Sequence, residues 1–589
     1  EILQQVPSAY IRNMGGIGQF SSASIRGASA RQTTIMLNGI PLNPDGVSDV
    51  NLSELPLKAF ETVELYRSHI PLELQSASIG GVINLQSTQE EGQSIALSTG
   101  SFNSHKAMGA VSKRIKGWQN QIFLQHFQTE GDFRYFDDNA TVFNTEDDQF
   151  THRQNNDLSQ QNLLLSSQHQ NLSALYMLNH REQGIAGPSS MQTTELRFRA
   201  MKQLLGIHWQ NPTSSLWEHR MDLWYSDSIQ TLDDRSAELF GGEYWQDQSF
   251  SHAGLRSFHR YLYSDQFLPS IAMSVRGERA HSYDRIAETG NDLRQRILGS
   301  LQMGARYFSS DSQWELIAAN ALYYRWIEED PIFVQAPNAS VLYHLNPKWN
   351  LWSSAQRSFR PPTMEELYGN QGAVIGNSEL RPESAISLDA GAVYSTKQYS
   401  FQLGGFHRWG QDSILLVQNA QKESLPINFS ATRIAGLEIF ASVSVFDWLS
   451  LSQSFTWTHS INDSTIPNLN GKKLPNTPAF LFQNSITLQG DALSGQYHFY
   501  FMDQNYIDSS NRYPSTRRYT HNISLNYQAK ETLPRVHVDL RNVNNRITEE
   551  SMIDPLSPEL GLRTQAIEDF VGYPLPGMQL LFSVQWTTF

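Results

Sequence analysis

The sequence predicts an all-β chain in two parts: a small mixed α/β domain over the first ~90 residues, then one long unit of alternating strands. Three observations predict it. From about Ser94 onward the chain is a succession of period-two stripes with no helical stretch between them. The opening residues differ in texture, being rich in Gly and small side chains, with short apolar runs broken by Pro and Gly. Only 39% of the 589 residues are hydrophobic, mean hydropathy is −0.43, and no apolar run approaches the ~18–20 residues of a membrane helix. A helical membrane protein is thereby excluded. A barrel is not, because its strands show lipid only every second side chain.

The division is placed at residue 90, giving domains 1–90 and 91–589. In the first, the runs Thr34–Leu37, Val63–Leu65 and Gly81–Leu85 read as short, well-covered strands. In the second, Leu437, Ile439, Ala441, Val443 and Val445 share one face while Glu438, Ser442 and Ser444 share the other. Leu451, Phe455 and Trp457 alternate with Ser and Thr, and Met578, Leu580, Phe582, Val584 and Trp586 repeat the pattern near the end. A soluble propeller or sandwich would turn the apolar face inward; a membrane barrel turns it outward and lines its lumen with Ser, Thr and Gln. Periodicity leaves both open. The connections alternate in length: Lys116-Gly117 joins two stripes tightly, whereas Glu130 to Asn156 is long and polar.

Composition removes several functions. There is no Cys, hence no disulfide, thiolate metal site or Cys nucleophile. A net charge of −14 disfavours nucleic acid, and the one basic cluster, Lys113-Arg114-Ile115-Lys116, precedes Gly117 and reads as a solvated turn. Gly15-Gly16-Ile17-Gly18 lacks the spacing of a nucleotide fingerprint. No catalytic motif or close metal-ligand spacing of His is present, so no enzyme, metal or cofactor is expected. Asp137-Asp138 and Glu146-Asp147-Asp148 supply oxygen ligands of the kind calcium takes, but without EF-hand spacing they read as a solvated acidic loop.

Several motifs carry a family resemblance. Ile25-Arg26-Gly27 is followed by Leu37-Asn38-Gly39-Ile40-Pro41-Leu42, then Phe60 to Arg67 (FETVELYR), then Gly80-Gly81-Val82-Ile83-Asn84. Downstream stand Phe359-Arg360-Pro361-Pro362-Thr363, Glu366-Leu367-Tyr368, Gly376-Asn377, Leu380-Arg381-Pro382-Glu383, Gly436-Leu437-Glu438 and Tyr573-Pro574-Leu575-Pro576-Gly577. Together these resemble the TonB-dependent outer-membrane receptors over nearly the whole chain. The resemblance implies a 22-stranded antiparallel transmembrane β-barrel with the N-terminal domain as a plug in its lumen. About 500 residues among 22 strands leave roughly 23 per strand and connection, enough for a ~9–11-residue span. Haem receptors share the Arg-Pro-Pro and Asn marks but place a His between them; here none lies between Arg360 and Asn377.

The resemblance also implies site residues. Arg26 and Arg67 match two plug arginines that face acidic barrel residues, for which Asp389 and Glu438 are the matching positions. If the four meet, they form a charge-paired lock. Asn43, Asp45, Ser48, Asp49 and Asn51 lie in the plug loop that reaches outward, as candidate ligand-binding residues; an ordinary Pro/Asp/Gly turn is the plainer reading. Departures from the family pattern are Arg67-Ser68-His69 for Arg-Gly-Pro, Leu74-Gln75-Ser76 for the usual Tyr-Gly, Asp389 as a shorter acid, and an out-of-phase terminal Phe589. A TonB box would lie upstream of Glu1, and the numbering is expected to start after processed or missing residues. The expected function is import of a scarce small nutrient chelate, corrinoid or siderophore-like, across the outer membrane. Its expected partners are membrane lipid, the small-molecule ligand and the TonB-ExbB-ExbD complex. The other reading is a transport-deficient barrel serving an outer-membrane complex, with a surface lipoprotein as partner.

Overall fold

The computed structural model describes residues 8–588 except 43–48, 68–69, 75–77, 89–90, 212–215, 291–292, 328–329, 372–373, 419–423 and 531. Six strands build the N-terminal domain: β1 (Ala9–Asn13), β2 (Ser21–Ile25), β3 (Thr33–Leu37), β4 (Ile40–Pro41), β5 (Phe60–Tyr66) and β6 (Gly81–Ser87). β1 and β2 form a hairpin, and the other four make a sheet in the order β4-β3-β6-β5 with β3 and β6 parallel. Gly81 permits that closure. Its φ is +106°, and a Cβ there would sit 2.4 Å from the Tyr66 carbonyl oxygen. Among the described residues, the helical part of this domain is confined to single 3-10 turns such as Leu52–Glu54 and Leu57–Ala59.

From Gly92 the chain forms a closed antiparallel barrel of 22 long strands, completed where the last, Gln579–Thr588, pairs with the first, Gly92–Gly100. One rim has tight connections, including 116–117, 170–171, 347–348 and 447–448; the other carries 130–157, 361–382 and 542–578. Short turns mark the periplasmic rim of an outer-membrane barrel and long loops its external rim. Alternation decides which face meets lipid. On the strand Ser424–Phe446, Leu437 is 48% exposed and Glu438 only 4%. Along the last strand, Leu580, Phe582 and Trp586 face outward. The apolar stripes therefore point away from the lumen, which settles the choice the periodicity left open. On the strand Trp314–Ile327, Trp314 and Trp326 stand near opposite rims as interfacial anchors.

The lumen is not uniformly polar. Phe123, Leu164, Leu175, Met177, Leu204 and Trp224 point inward and share one core with Ile25, Ile35, Leu37, Ile83 and Leu85 of the plug. Here the expected Ser/Thr/Gln lining gives way to an apolar patch. The wall needs it there because the sheet of the plug has an apolar face to bury.

Candidate functional site: the grips between plug and barrel

Arg26 sits at the turn after β2 with φ +52°, a left-handed conformation few side chains adopt, and Gly27 continues it at +69°. The turn aims the guanidinium at the wall. Arg26 Nη1 donates to Asp389 Oδ1 at 2.5 Å, Nε to Glu438 Oε1 at 2.7 Å and Nη2 to Glu438 Oε2 at 2.8 Å. Arg67, just past β5, donates to Glu438 Oε2 at 2.9 Å. All four residues expected to form the lock thus meet, with Arg26, Asp389 and Glu438 buried. The Phe406 ring lies 4.6 Å from the Arg26 guanidinium carbon. Burial works against the Arg26 charge, but Glu438 and Asp389 outweigh it and raise its pKa. For Arg67 burial wins and lowers the pKa, despite Glu438, with Arg26 adding to the drop.

Four other residues, marks of the family to which the sequence alone assigns no role, form a second cluster. Thr363 caps α1 (Met364–Tyr368), and Glu366 closes a capping box with it. Glu366 also receives both terminal nitrogens of Arg360, at 2.8 and 3.0 Å, while Arg360 Nε reaches Glu383 at 2.7 Å. From the plug, Arg31 donates to Glu366 at 3.3 Å and Gln32 to Glu383 at 3.2 Å. The external loop 361–382 is thereby bolted to the plug. Burial opposes ionisation of Glu366, but Arg360 overcomes it and the pKa falls. The inward phase of Ser354, Ser358 and Arg360 is the signal by which the sequence could have marked it.

The third grip covers the β1–β2 hairpin from outside. Asp569, in the loop 542–578, accepts from Tyr10 Oη at 3.1 Å, from the Asn13 backbone at 2.9 Å and from Arg518 Nη1 at 2.7 Å. Its neighbour Phe570 packs edge-on against Phe20 at 6.1 Å, with the Arg12 guanidinium 4.8 Å from its ring. Loop 130–157 and its flanking strands complete the cover: Gln19 donates to the Asn156 carbonyl at 3.0 Å, and Gly18 leaves space that Leu158 and Phe127 of those strands fill. Asp138, expected to be solvated, instead pairs with Arg563 at 2.8 Å and ties the two loops together. Nothing in the one-dimensional pattern marks Asp569, because its plug partners lie hundreds of residues away.

Of the expected apex residues, Asn43, Asp45 and Ser48 lie outside the described residues. Asp49 stands 3.9 Å from Arg31. Asn51 is buried; its amide oxygen accepts from the Ser21 and Ser53 backbones and its nitrogen donates to Glu54. Ser68, His69, Gln75, Ser76 and Phe589 also fall outside the described residues. Among the described residues no group of three or more His, Asp or Glu side chains could hold a metal ion.

Comparison with known proteins agrees with this architecture. The family model "TonB dependent receptor-like, beta-barrel" matches residues 97–545, and "TonB-dependent Receptor Plug Domain" matches residues 1–82. The chain belongs to the TonB-dependent receptors of the outer membrane, a family of receptors and transporters rather than enzymes. Over 155 residues it is 28% identical to the vitamin B12 transporter BtuB of Photobacterium profundum, an alignment spanning 26% of this chain and only 25% of that protein. Similar solved structures include the copper transporter OprC (TM-score 0.77, 14% identity, covering 100% of this chain and 95% of the other). The unliganded ferric citrate transporter FecA gives TM-score 0.76 at 13% identity, covering 100% and 94%. The FrpB iron transporter from Neisseria meningitidis gives 0.75 at 10%, covering 100% and 96%. At these identities the structures share the fold.

Proposed function

We propose that this protein imports a small nutrient chelate, corrinoid or siderophore-like, across the outer membrane with energy delivered through TonB-ExbB-ExbD. The supporting observation is the way the plug is held: by buried ion pairs and inward-folded loops, not by covalent links. Such contacts hold firmly at rest yet part when the plug is pulled, because a buried pair contributes little net stability while losing one partner costs several kcal/mol. The match to a vitamin B12 transporter favours a corrinoid; the ferric citrate and iron transporters among the fold neighbours keep the siderophore class beside it. A deletion strain complemented with the gene, grown on limiting corrinoid or ferric chelate with and without functional TonB, tests the reading. TonB-dependent rescue by one cargo class is expected. The substitutions around Ser68-His69 and Leu74-Gln75-Ser76 favour the alternative role as a barrel in an outer-membrane complex. That role would give no rescue on any cargo, together with copurifying lipoproteins.

A further inference from the structure

Between the plug and one side of the wall runs a crevice of about 190 Å³, lined on the plug side by Arg31, Thr34 and Met36 and on the wall by four further arginines: Arg256, Arg276, Arg325 and Arg360. No acidic residue lines it among the described residues. Carboxylates outside that lining pair with three of the wall arginines: Asp222 with Arg256, Glu278 with Arg276, and Glu366 and Glu383 with Arg360.

Register explains the spacing. Arg276 pairs with Leu298 and Leu298 with Arg325, so these two arginines stand two strands apart, roughly 10 Å between backbones. The adjacent row, Arg256, Ser274, Ser300 and Tyr323, is hydroxyl-rich, with the two Ser side chains 2.7 Å apart. Arg360 and Arg31 sit at the external end beside loop 361–382. At the other end Arg256 donates to the carbonyls of Leu74 and Gly39, which belong to the plug. Guanidinium donors lining a cavity whose wall, among the described residues, carries no carboxylate form an arrangement of the kind that selects anions in pores.

We infer that this crevice is an anion-binding site, and that the cargo enters it by a carboxylate or phosphate group. Arg256 closes its inner end: two of its donor bonds go to the plug and are released when the plug moves, which frees them for the descending anion. The inference rests on the importer reading above, to which it adds a charge requirement on the cargo.

The test uses purified full-length protein in detergent and isothermal titration with citrate, pyrophosphate and uncharged maltose. Citrate tests carboxylate recognition, pyrophosphate tests phosphate, and both are titrated at low and high salt. One or both polyanions are expected to bind, more weakly at high salt, and maltose not to bind. Arg276→Gln and Arg325→Gln should each weaken binding on the order of tenfold, and the Lys variants should restore most of it. Arg276→Gln is tolerable to the fold because Glu278 keeps Arg296 at 2.6 Å. Absence of polyanion binding, or binding indifferent to both Gln variants, overturns the inference; so does an equal loss in Gln and Lys variants, which would indicate packing alone. The readout needs no TonB, so it separates from the importer reading. Anion binding without cellular uptake sinks only the importer; uptake without anion binding sinks only the crevice.

Discussion

Two of the three grips on the plug work by contrasting means. At the lock, Arg26 and Arg67, from two separate segments of the plug, meet Asp389 and Glu438 of the wall in a largely buried contact built mainly of ion pairs. At the outer mouth, Tyr10, Arg12 and Phe20 meet Asp569 and Phe570 in a contact that is half aromatic, on a loop at the solvent rim. The first ties the plug to strands midway down the wall. The difference sets a mainly ionic contact at depth against a partly aromatic one at the external rim.

The comparison is broken most directly at the lock. Glu438→Ala leaves Arg26 and Arg67 without their shared partner, and should destabilise plug seating by about 3–5 kcal/mol. Urea-dependent proteolysis of the plug measures it. The exchange Arg26→Glu with Glu438→Arg should recover part of the loss; strictly additive effects would show that the two do not interact.

At the mouth, pH sharpens the contrast. Burial, with Asp138 adding and the Gly572 N–H opposing, pushes the Glu568 carboxyl up to about 7. A carboxyl raised when docked stabilises docking fully below its free value near 4.3, and that stability is lost as pH rises through 7. The span corresponds to about 4 kcal/mol at most. Hydrogen-exchange protection in 542–578, corrected for the intrinsic base-catalysed rate, should fall between pH 5 and pH 8, and Glu568→Gln should flatten that fall. An unchanged slope in that variant would remove Glu568 from the account.

Asp569→Asn comes next, at about 2 kcal/mol, since it keeps an acceptor for Tyr10 but weakens the charged bond to Arg518. It should loosen the β1–β2 hairpin in the same exchange experiment while leaving the lock intact. The smallest effect is expected from Asn51→Ala, about 1 kcal/mol for a lost cap on the turn Leu52–Glu54. Cargo affinity should not move; a loss of affinity at unchanged stability would return Asn51 to the ligand site.

Much of the fold is legible in the chain, and for a definable reason. Alternation along a strand is local, so the stripe of Leu437, Ile439 and Ala441 against Glu438 and Ser442 announces two faces without any tertiary information. Arg26, Arg67, Asp389 and Glu438 are reached only through motif resemblance, since nothing local says that residues separated by 412 positions will touch. Asp138 reads as solvated in the sequence because its partner, Arg563, is 425 residues distant.

By itself the sequence determined the existence and period of the strands, the break in texture near residue 90 and the absence of thiol chemistry, all properties of neighbouring residues or of composition. Only the tertiary structure decided which face met lipid, where the lumen turned apolar to receive the plug, and which arginines lined the crevice. Those depend on barrel closure and register, which bring distant strands side by side, and no local pattern encodes which pairs will meet.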